Sequence, residues 1–533
     1  MRFVLSVLLL IVIDATAQLV PLPDPDSIKS YIAFLGDDKL QGRGTGSPGL
    51  QQAAEYISAK LNFYGLKPKG QNNNWFQKVP MHGTKVLPSS TLQIYFNNHN
   101  EYLFYAKDFL LIKSAGELYK PGLLPVVFVG FGINAPDYAY NDYDGIDVSG
   151  KIVIFMDGEP DSDDPDFFEG QEETIYSLAE SKIRTAISFG AAGSIIIHEP
   201  SDKNSWAKKR REYAFEEVTL PGRVTGHLSI YLNSEKADIM LQGSGLTYSQ
   251  LLKQKTKNNF TPVELKTKVA FNGDFKRREF KSNNVIAVHQ GRDALLKDKY
   301  ILIGAHYDHL GVGEPVDGDS IYNGVMDNAV GCAVTLELAR MFATADFKPK
   351  RSLVFVFFTG EEKGLLGSDY YVSHPQVDLD KTTAMINIDG LSAMGRFRSL
   401  MGVGGEYSEL GYKLKMVANE YGLEIEELNP SSLDLPFSKS DQISFAQAGV
   451  PAMQIIEGYL YPDISRTEVI KQTQRWFETH YHSPYDDLNQ PIDYDSITRY
   501  TSFMFILINR LLNQEDDPAW LNDSPYQRKH LSQ

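Results

Sequence analysis

Apolar positions mark out the first elements. Ile28, Tyr31, Ile32 and Leu35 recur at helical spacing behind Ser27, a candidate cap. Ala53, Tyr56, Ile57 and Leu61 mark one side of a second helix from about Leu50 to Tyr64, and Gly65 stops it. Gly42-Arg43-Gly44-Thr45-Gly46-Ser47-Pro48-Gly49 between them reads as a loop. Over 88–130 the period shortens to that of strands, as in Leu92-Gln93-Ile94-Tyr95-Phe96, with Gly and Pro separating the pieces. Strands are predicted at 151–155 and 194–197, a helix at 174–188, and further strands to about Phe271. The stretch 201–217 is polar, and its basic cluster Lys208-Lys209-Arg210-Arg211 reads as a solvated face.

From Asn283 the pattern becomes regular α/β. Strands are predicted at 285–288, 300–305, 353–358, 384–388 and 452–456, with helices near 329–342, 363–372, 405–421 and 495–512. The run 353–358 is apolar throughout, as expected where both sheet faces are covered. The simplest architecture is one α/β domain, a mostly parallel mixed sheet flanked by helices, built from 20–105 and 273–515. A mainly β domain at 107–270 is inserted in it, and 516–533 form a flexible tail.

With 533 residues, 42% of them hydrophobic and 23% charged, the chain can build two or three full cores. A net charge of -16 argues against nucleic acid and anionic membrane as partners and leaves a neutral peptide open. Arg2, the apolar run 4–13 broken only by Ser6, and Ala15-Thr16-Ala17 read as a signal peptide over 1–17, implying a periplasmic or extracellular protein. As a helix that run rises about 15 Å, half of the roughly 30 Å a membrane requires, so no stable membrane anchor is expected. Cys332 is the only cysteine; no intrachain disulfide can form, and its apolar neighbours predict a buried thiol.

Candidate chemistry gathers at the predicted strand ends, where open α/β sheets hold their ligands. His306 follows the 300–305 strand, and Asp308, two residues on, shares its face and is expected to orient the second ring nitrogen. Asp327 precedes a helix, as a cap or as a carboxylate bridging two metals. Glu361 and Glu362 are adjacent acids at a strand end, which repel unless cations or a shared proton compensate. A metal site divides their labour: one binds, the other takes a proton from water. Asp389 ends another strand, and His482 lies in the closing segment. Each residue alone also fits a bland surface role. Together, two His, two Asp and one Glu supply the ligands for two tetrahedral zinc ions.

These motifs resemble the M28 metallopeptidases, in particular aminopeptidases with a protease-associated domain. The resemblance rests on Gly304-Ala305-His306-Tyr307-Asp308, 324–331, 359–368, Asn387-Ile388-Asp389 and Tyr481-His482-Ser483-Pro484-Tyr485-Asp486, and extends to Leu40-Gln41-Gly42-Arg43-Gly44-Thr45-Gly46. It implies a zinc-exopeptidase catalytic domain, one zinc on His306 and Asp389, a second on Glu362 and His482, and Asp327 bridging them. It also implies a cis Asp327-Asn328 peptide, Glu361 as general base, and Tyr481 as the group facing the oxyanion. Gly145-Ile146-Asp147-Val148-Ser149-Gly150-Lys151-Ile152-Val153 and 190–197 liken the insertion to the protease-associated domain. Ser440-Asp441-Gln442 stands where many relatives have Ser-Asp-His, which leaves the ligands intact and pocket specificity open. The implied activity is hydrolysis of the N-terminal peptide bond of a peptide with a free N-terminus. A carboxypeptidase or dipeptidase on the same metals is the alternative, a glutaminyl cyclase or a non-catalytic binding relative a more distant one. Oligomeric state is left open.

Overall fold

In the computed structural model, odd-numbered residues of the strands Tyr300–His306 and Ser352–Phe358 face one helical layer and even-numbered residues the other. Ile301, Ile303, Leu353 and Phe355 pack under the helices Pro25–Leu35, Pro48–Phe63, Val330–Thr344, Leu410–Tyr421 and Tyr494–Asn513. Leu302, Val354 and Val356 pack under Leu366–Ser373 and Gln442–Gln447. Burial on both faces is why these strands carry no polar alternation. The structure describes residues 21–527 apart from 114–119, 171–172, 202–204, 223–225, 256–259, 347, 391–394 and 428–436. The expected signal peptide, 1–17, lies outside the described residues. No helix among them is long and apolar enough to cross a membrane.

The large sheet is mixed. Ser352–Phe358, Tyr300–His306, Thr382–Asn387 and Ala452–Glu457 run parallel at its centre, with His306 opposite Phe358 and Gly304 opposite Asn387. That register brings the ends of three strands, and the loops that follow them, to one edge. Phe275–His289 and Phe76–Val86 extend the sheet antiparallel on one side, Ser399–Val403 on the other.

A second, eight-stranded sheet forms the β-rich unit, with its own cores on both faces. Its strands Lys120–Phe128, Ile152–Met156, Gly193–His198 and Leu228–Asn233 are parallel. Phe76–Val86 and Phe275–His289 pair from Phe76↔Val285 to Val86↔Phe275, so the chain enters and leaves this unit side by side. Sheet membership starts earlier than the expected 107: Thr91–Phe96 and His99–Phe104 already belong to the second sheet. In return, Glu217–Thr219, from inside the insertion, pairs with Phe76–Val86 at the edge of the large sheet.

Two expectations need correction. The basic cluster is not simply a solvated face: it lies on the helix Trp206–Glu212, where Arg210 pairs with Glu314 of the α/β unit at 2.8 Å and Lys209 lies over the Tyr231 ring. Amphipathic stems let such residues cover apolar surface while their charges find partners. The tail expected to be loose is also packed as far as it is described. Trp520 donates from Nε1 to Gly449 O at 3.1 Å, Leu521 N–H donates to Tyr407 O, and the Tyr526 ring lies 5.4 Å from that of Phe437. Polar residues surround these aromatics in the sequence and mask their burial at the end of the chain.

Candidate metal centre

His306 closes its strand with its side chain buried, and its Nε2 lies 3.1 Å from Asp389 Oδ1 and 3.2 Å from Asp327 Oδ1. His482 Nε2 lies 3.4 Å from Asp327 Oδ2 and 3.2 Å from Glu362 Oε2. The two oxygens of Asp327 thus face two different donor sets. The edge of a tetrahedron of ligands at zinc–nitrogen and zinc–oxygen bond lengths is roughly 3.3 Å. The donors fit two such ions. His482 Nε2 supports the fit: it is buried and makes no hydrogen bond, although two carboxylate oxygens are this close. Atoms arranged around a common ion have this relation.

Charge in the cluster is divided. Burial pushes the Glu361 carboxyl well above the usual range, with Asp389, Glu362 and Asp441 adding to it. For Glu362 burial acts the same way, but His482 and His309 outweigh it and hold the group well below the usual range. Asp327 is lowered against burial and the Glu362 charge by the adjacent His306, His482 and His309 imidazoles. Burial opposes charge on His482, yet Glu362 and Asp327 raise it to about 10. A proton on imidazole and a cation between carboxylates relieve the same repulsion. Adjacent acids with opposite tendencies suit one ligand and one proton carrier.

The backbone around these groups is over-determined. Asp486 accepts from Met326 N–H at 2.8 Å and Asp327 N–H at 3.1 Å, fixing the residues on which the bridge depends. The Asp327-Asn328 peptide is cis. Asn328 donates to Ile388 O, tying this turn to the strand end before Asp389, and a Cβ at Gly331 would sit 2.1 Å from Asn328 Oδ1. Ser440 donates to Asp389 Oδ2, leaving Oδ1 toward His306. The Cys332 thiol is buried, as expected, and contacts His306 O at 3.0 Å.

Asp308 does not do what the i, i+2 argument predicts. His306 Nδ1 meets the main-chain carbonyl of Asp308, 3.2 Å away. The Asp308 carboxylate accepts instead from the Thr45 hydroxyl at 2.8 Å and from Glu361 N–H at 3.1 Å. The chain leaves its extended form after His306, where the strand ends, so face-sharing no longer holds. Gln442 is buried within a network, accepting from Asn387 at 2.8 Å and donating to Phe437 O. It does not line the cavity beside the cluster. That cavity is about 420 Å³, and Glu361, Asp389, Met401, Val403, Ile456 and Phe477 are among the residues lining it. The Tyr481 ring stacks on His482 at 3.8 Å and is among the residues lining the cavity, 40% exposed.

Sequence reasoning missed three residues. Arg43, read as part of a loop, is fully buried and donates to Tyr307 O, Leu35 O, Asn323 O and Gly324 O. Asp486 enters the sequence argument only as the last residue of the Tyr481–Asp486 motif. His309, one residue past the His306 motif, has Nδ1 2.6 Å from Glu362 Oε1. A third histidine three positions from the first was the available signal.

An α/β sheet with imidazole and carboxylate donors gathered at its strand ends around one aspartate defines the class: a protein with a candidate dinuclear metal-binding arrangement. The comparisons refine this. The family model described as Peptidase family M28 matches residues 284–508, which hold all five candidate ligands and Glu361. The solved aminopeptidase from Aneurinibacillus sp. strain AM-1 is similar over 93% of this chain and 95% of its own, at 20% identity and a TM-score of 0.56. BSAP, a zinc aminopeptidase from Bacillus subtilis, is similar over 93% and 97% at 17% identity and a TM-score of 0.50. These likenesses concern the fold. The "Probable zinc metalloprotease" of Pyrenophora teres f. teres (strain 0-1) is 38% identical over 129 residues, 24% of this chain and 27% of that protein. The match therefore spans only about a quarter of that curated relative. Residues 284–508 thus match the M28 peptidase family model, the α/β fold is similar to those solved structures, and the chain has an additional β-rich unit.

Proposed function

We propose that this chain is an exported aminopeptidase using two zinc ions, with His306 and Asp389 holding one, Glu362 and His482 the other, and Asp327 both. The observation that carries the reading is Asp327, whose two oxygens each lie 3.2–3.4 Å from the imidazole of a separate donor set. Bound zinc would supply Lewis acidity and a water acidic enough to attack near neutral pH. Glu361, made more basic by burial and anchored through its N–H, would accept a proton from the attacking water as a carboxylate and return it to the leaving amine. Tyr481 in the cavity lining is the hydroxyl available to the oxyanion. The carboxylates of Glu361 and Asp389 in the cavity lining favour a substrate's α-ammonium, and Met401, Val403, Ile456 and Phe477 offer apolar contacts to its first side chain. The β-rich unit, read as a protease-associated domain, shapes access to the cleft without contributing chemistry.

A panel of peptides with free and blocked ends, with and without chelator, tests this. Cleavage that is lost on N-terminal acetylation and on chelation, and kept on C-terminal amidation, is the expected result. Cleavage kept on acetylation and lost on amidation would replace it with the carboxypeptidase reading, for which Lys439 in the cavity wall is the available cation.

A further inference from the structure

We propose that His309 is a positioning residue that holds Glu362 as a one-oxygen metal ligand, so that the two metal sites are built unequally. The inference rests on the two-zinc reading above.

His309 Nδ1 is 2.6 Å from Glu362 Oε1 and 3.9 Å from Asp327 Oδ2. The first distance is a charge-assisted hydrogen bond and is shorter than the roughly 3.3 Å between two donors on one tetrahedral zinc. The other oxygen, Oε2, is the one 3.2 Å from His482 Nε2, at the spacing of a shared ion. The two oxygens of Glu362 therefore have separate tasks. An ionised carboxylate only accepts, so the proton between the partners sits on Nδ1 of His309. Nε2 of the same ring is buried with no hydrogen-bond partner, which leaves the ring one polar attachment, to Glu362.

The fold fixes the ring there. His309 is fully buried, and its N–H donates to Arg43 O at 3.2 Å. Gly324 has φ +62°, and a Cβ there would lie 2.3 Å from the His309 ring, so glycine makes room for it. The His306 site is arranged differently. There the free oxygen of Asp389 accepts a hydroxyl, from Ser440. Partners of this kind set ligand orientation, and losing one typically costs about 10–100-fold in metal affinity.

The test is zinc binding to the full chain, measured by competition with a chromophoric chelator, for wild type, His309→Ala and His309→Asn. Asn places an amide N–H where Nδ1 stood. Wild type is expected to bind two ions. The alanine variant should lose about 10–100-fold in affinity for one ion and keep the other unchanged, and the asparagine variant should regain most of the loss. Should the alanine variant fail to fold, as judged by melting of the metal-free chain, His309→Gln takes its place: it fills the volume but carries its amide further out. Unchanged affinity for both ions in the Ala or Gln variant overturns the inference and leaves the two-zinc reading standing. Failure of the asparagine variant to recover affinity overturns it too. Zinc-edge X-ray absorption of the wild type is expected to count about one imidazole per ion, and about one and a half would make His309 a ligand and overturn the positioning role. Wild type that binds fewer than two ions withdraws both readings.

Discussion

Replacing Arg43 by Met removes a guanidinium that joins three segments beneath the metal centre. Arg43 donates to Tyr307 O at 2.8 Å, Asn323 O at 2.7 Å, Gly324 O at 2.8 Å and Leu35 O. Tyr307 follows His306, and Gly324 precedes the Asp327 turn, so one side chain spaces the two loops that carry the shared ligand and its partner. Hydrogen bonds from a charged donor are worth about 1.5–3 kcal/mol each, against several kcal/mol for burying the charge. The net loss expected for Arg43→Met is about 4 kcal/mol, which for a unit of this size is a fall of about 6 °C in Tm. Arg43→Lys should recover little, because an ammonium cannot reproduce a planar fork that serves four carbonyls in three directions. The assay is calorimetric unfolding of zinc-loaded and chelator-treated protein, with zinc affinity measured alongside. A Met variant within about 1 °C of wild type, or full rescue by Lys, would refute the reasoning.

Glu361→Gln should retain both metals and lose about 10²–10⁴-fold in kcat, by zinc analysis and peptide hydrolysis; undiminished turnover removes Glu361 from the base role. Tyr481→Phe should cost up to about 10²–10³-fold in kcat with KM little changed, and a change confined to KM would make the ring a substrate contact only. Lys182, fully buried in the β-rich unit, is pushed down to about 8 by burial. The unfolded chain then binds more protons than the folded one between about pH 8 and 10.5, so stability should rise with pH across that window. Denaturant titrations of wild type and Lys182→Met over that range should differ by this rise, and parallel curves would contradict it.

Much of the fold was legible because its central strands are apolar on both faces and its helices have regular stripes. Ile28, Tyr31, Ile32 and Leu35 are all buried on one helix, as their spacing predicts. The mixed boundary of the insertion was not legible, since Thr91–Phe96 looks the same whichever sheet it joins. Pairing partners lie far away in sequence. The helix Arg466–Thr479, which brings Trp476 and Phe477 to the cavity, was missed because Val469 is its one buried apolar residue and its polar surround hides any stripe. At the site, strand ends pointed to His306, Glu362 and Asp389, and the structure brings these together with Asp327 and His482. The groups behind them were hidden. Arg43 and Thr45 lie in a glycine-rich stretch whose composition signals exposure, whereas both are buried. Their partners are main-chain carbonyls and Asp308, and carbonyls carry no sequence signature.

The most direct test of the account is anomalous diffraction at the zinc edge from crystals grown with zinc. The prediction is two peaks, one between His306, Asp327 and Asp389 and one between Asp327, Glu362 and His482. A single peak, or two that do not share Asp327, would contradict it.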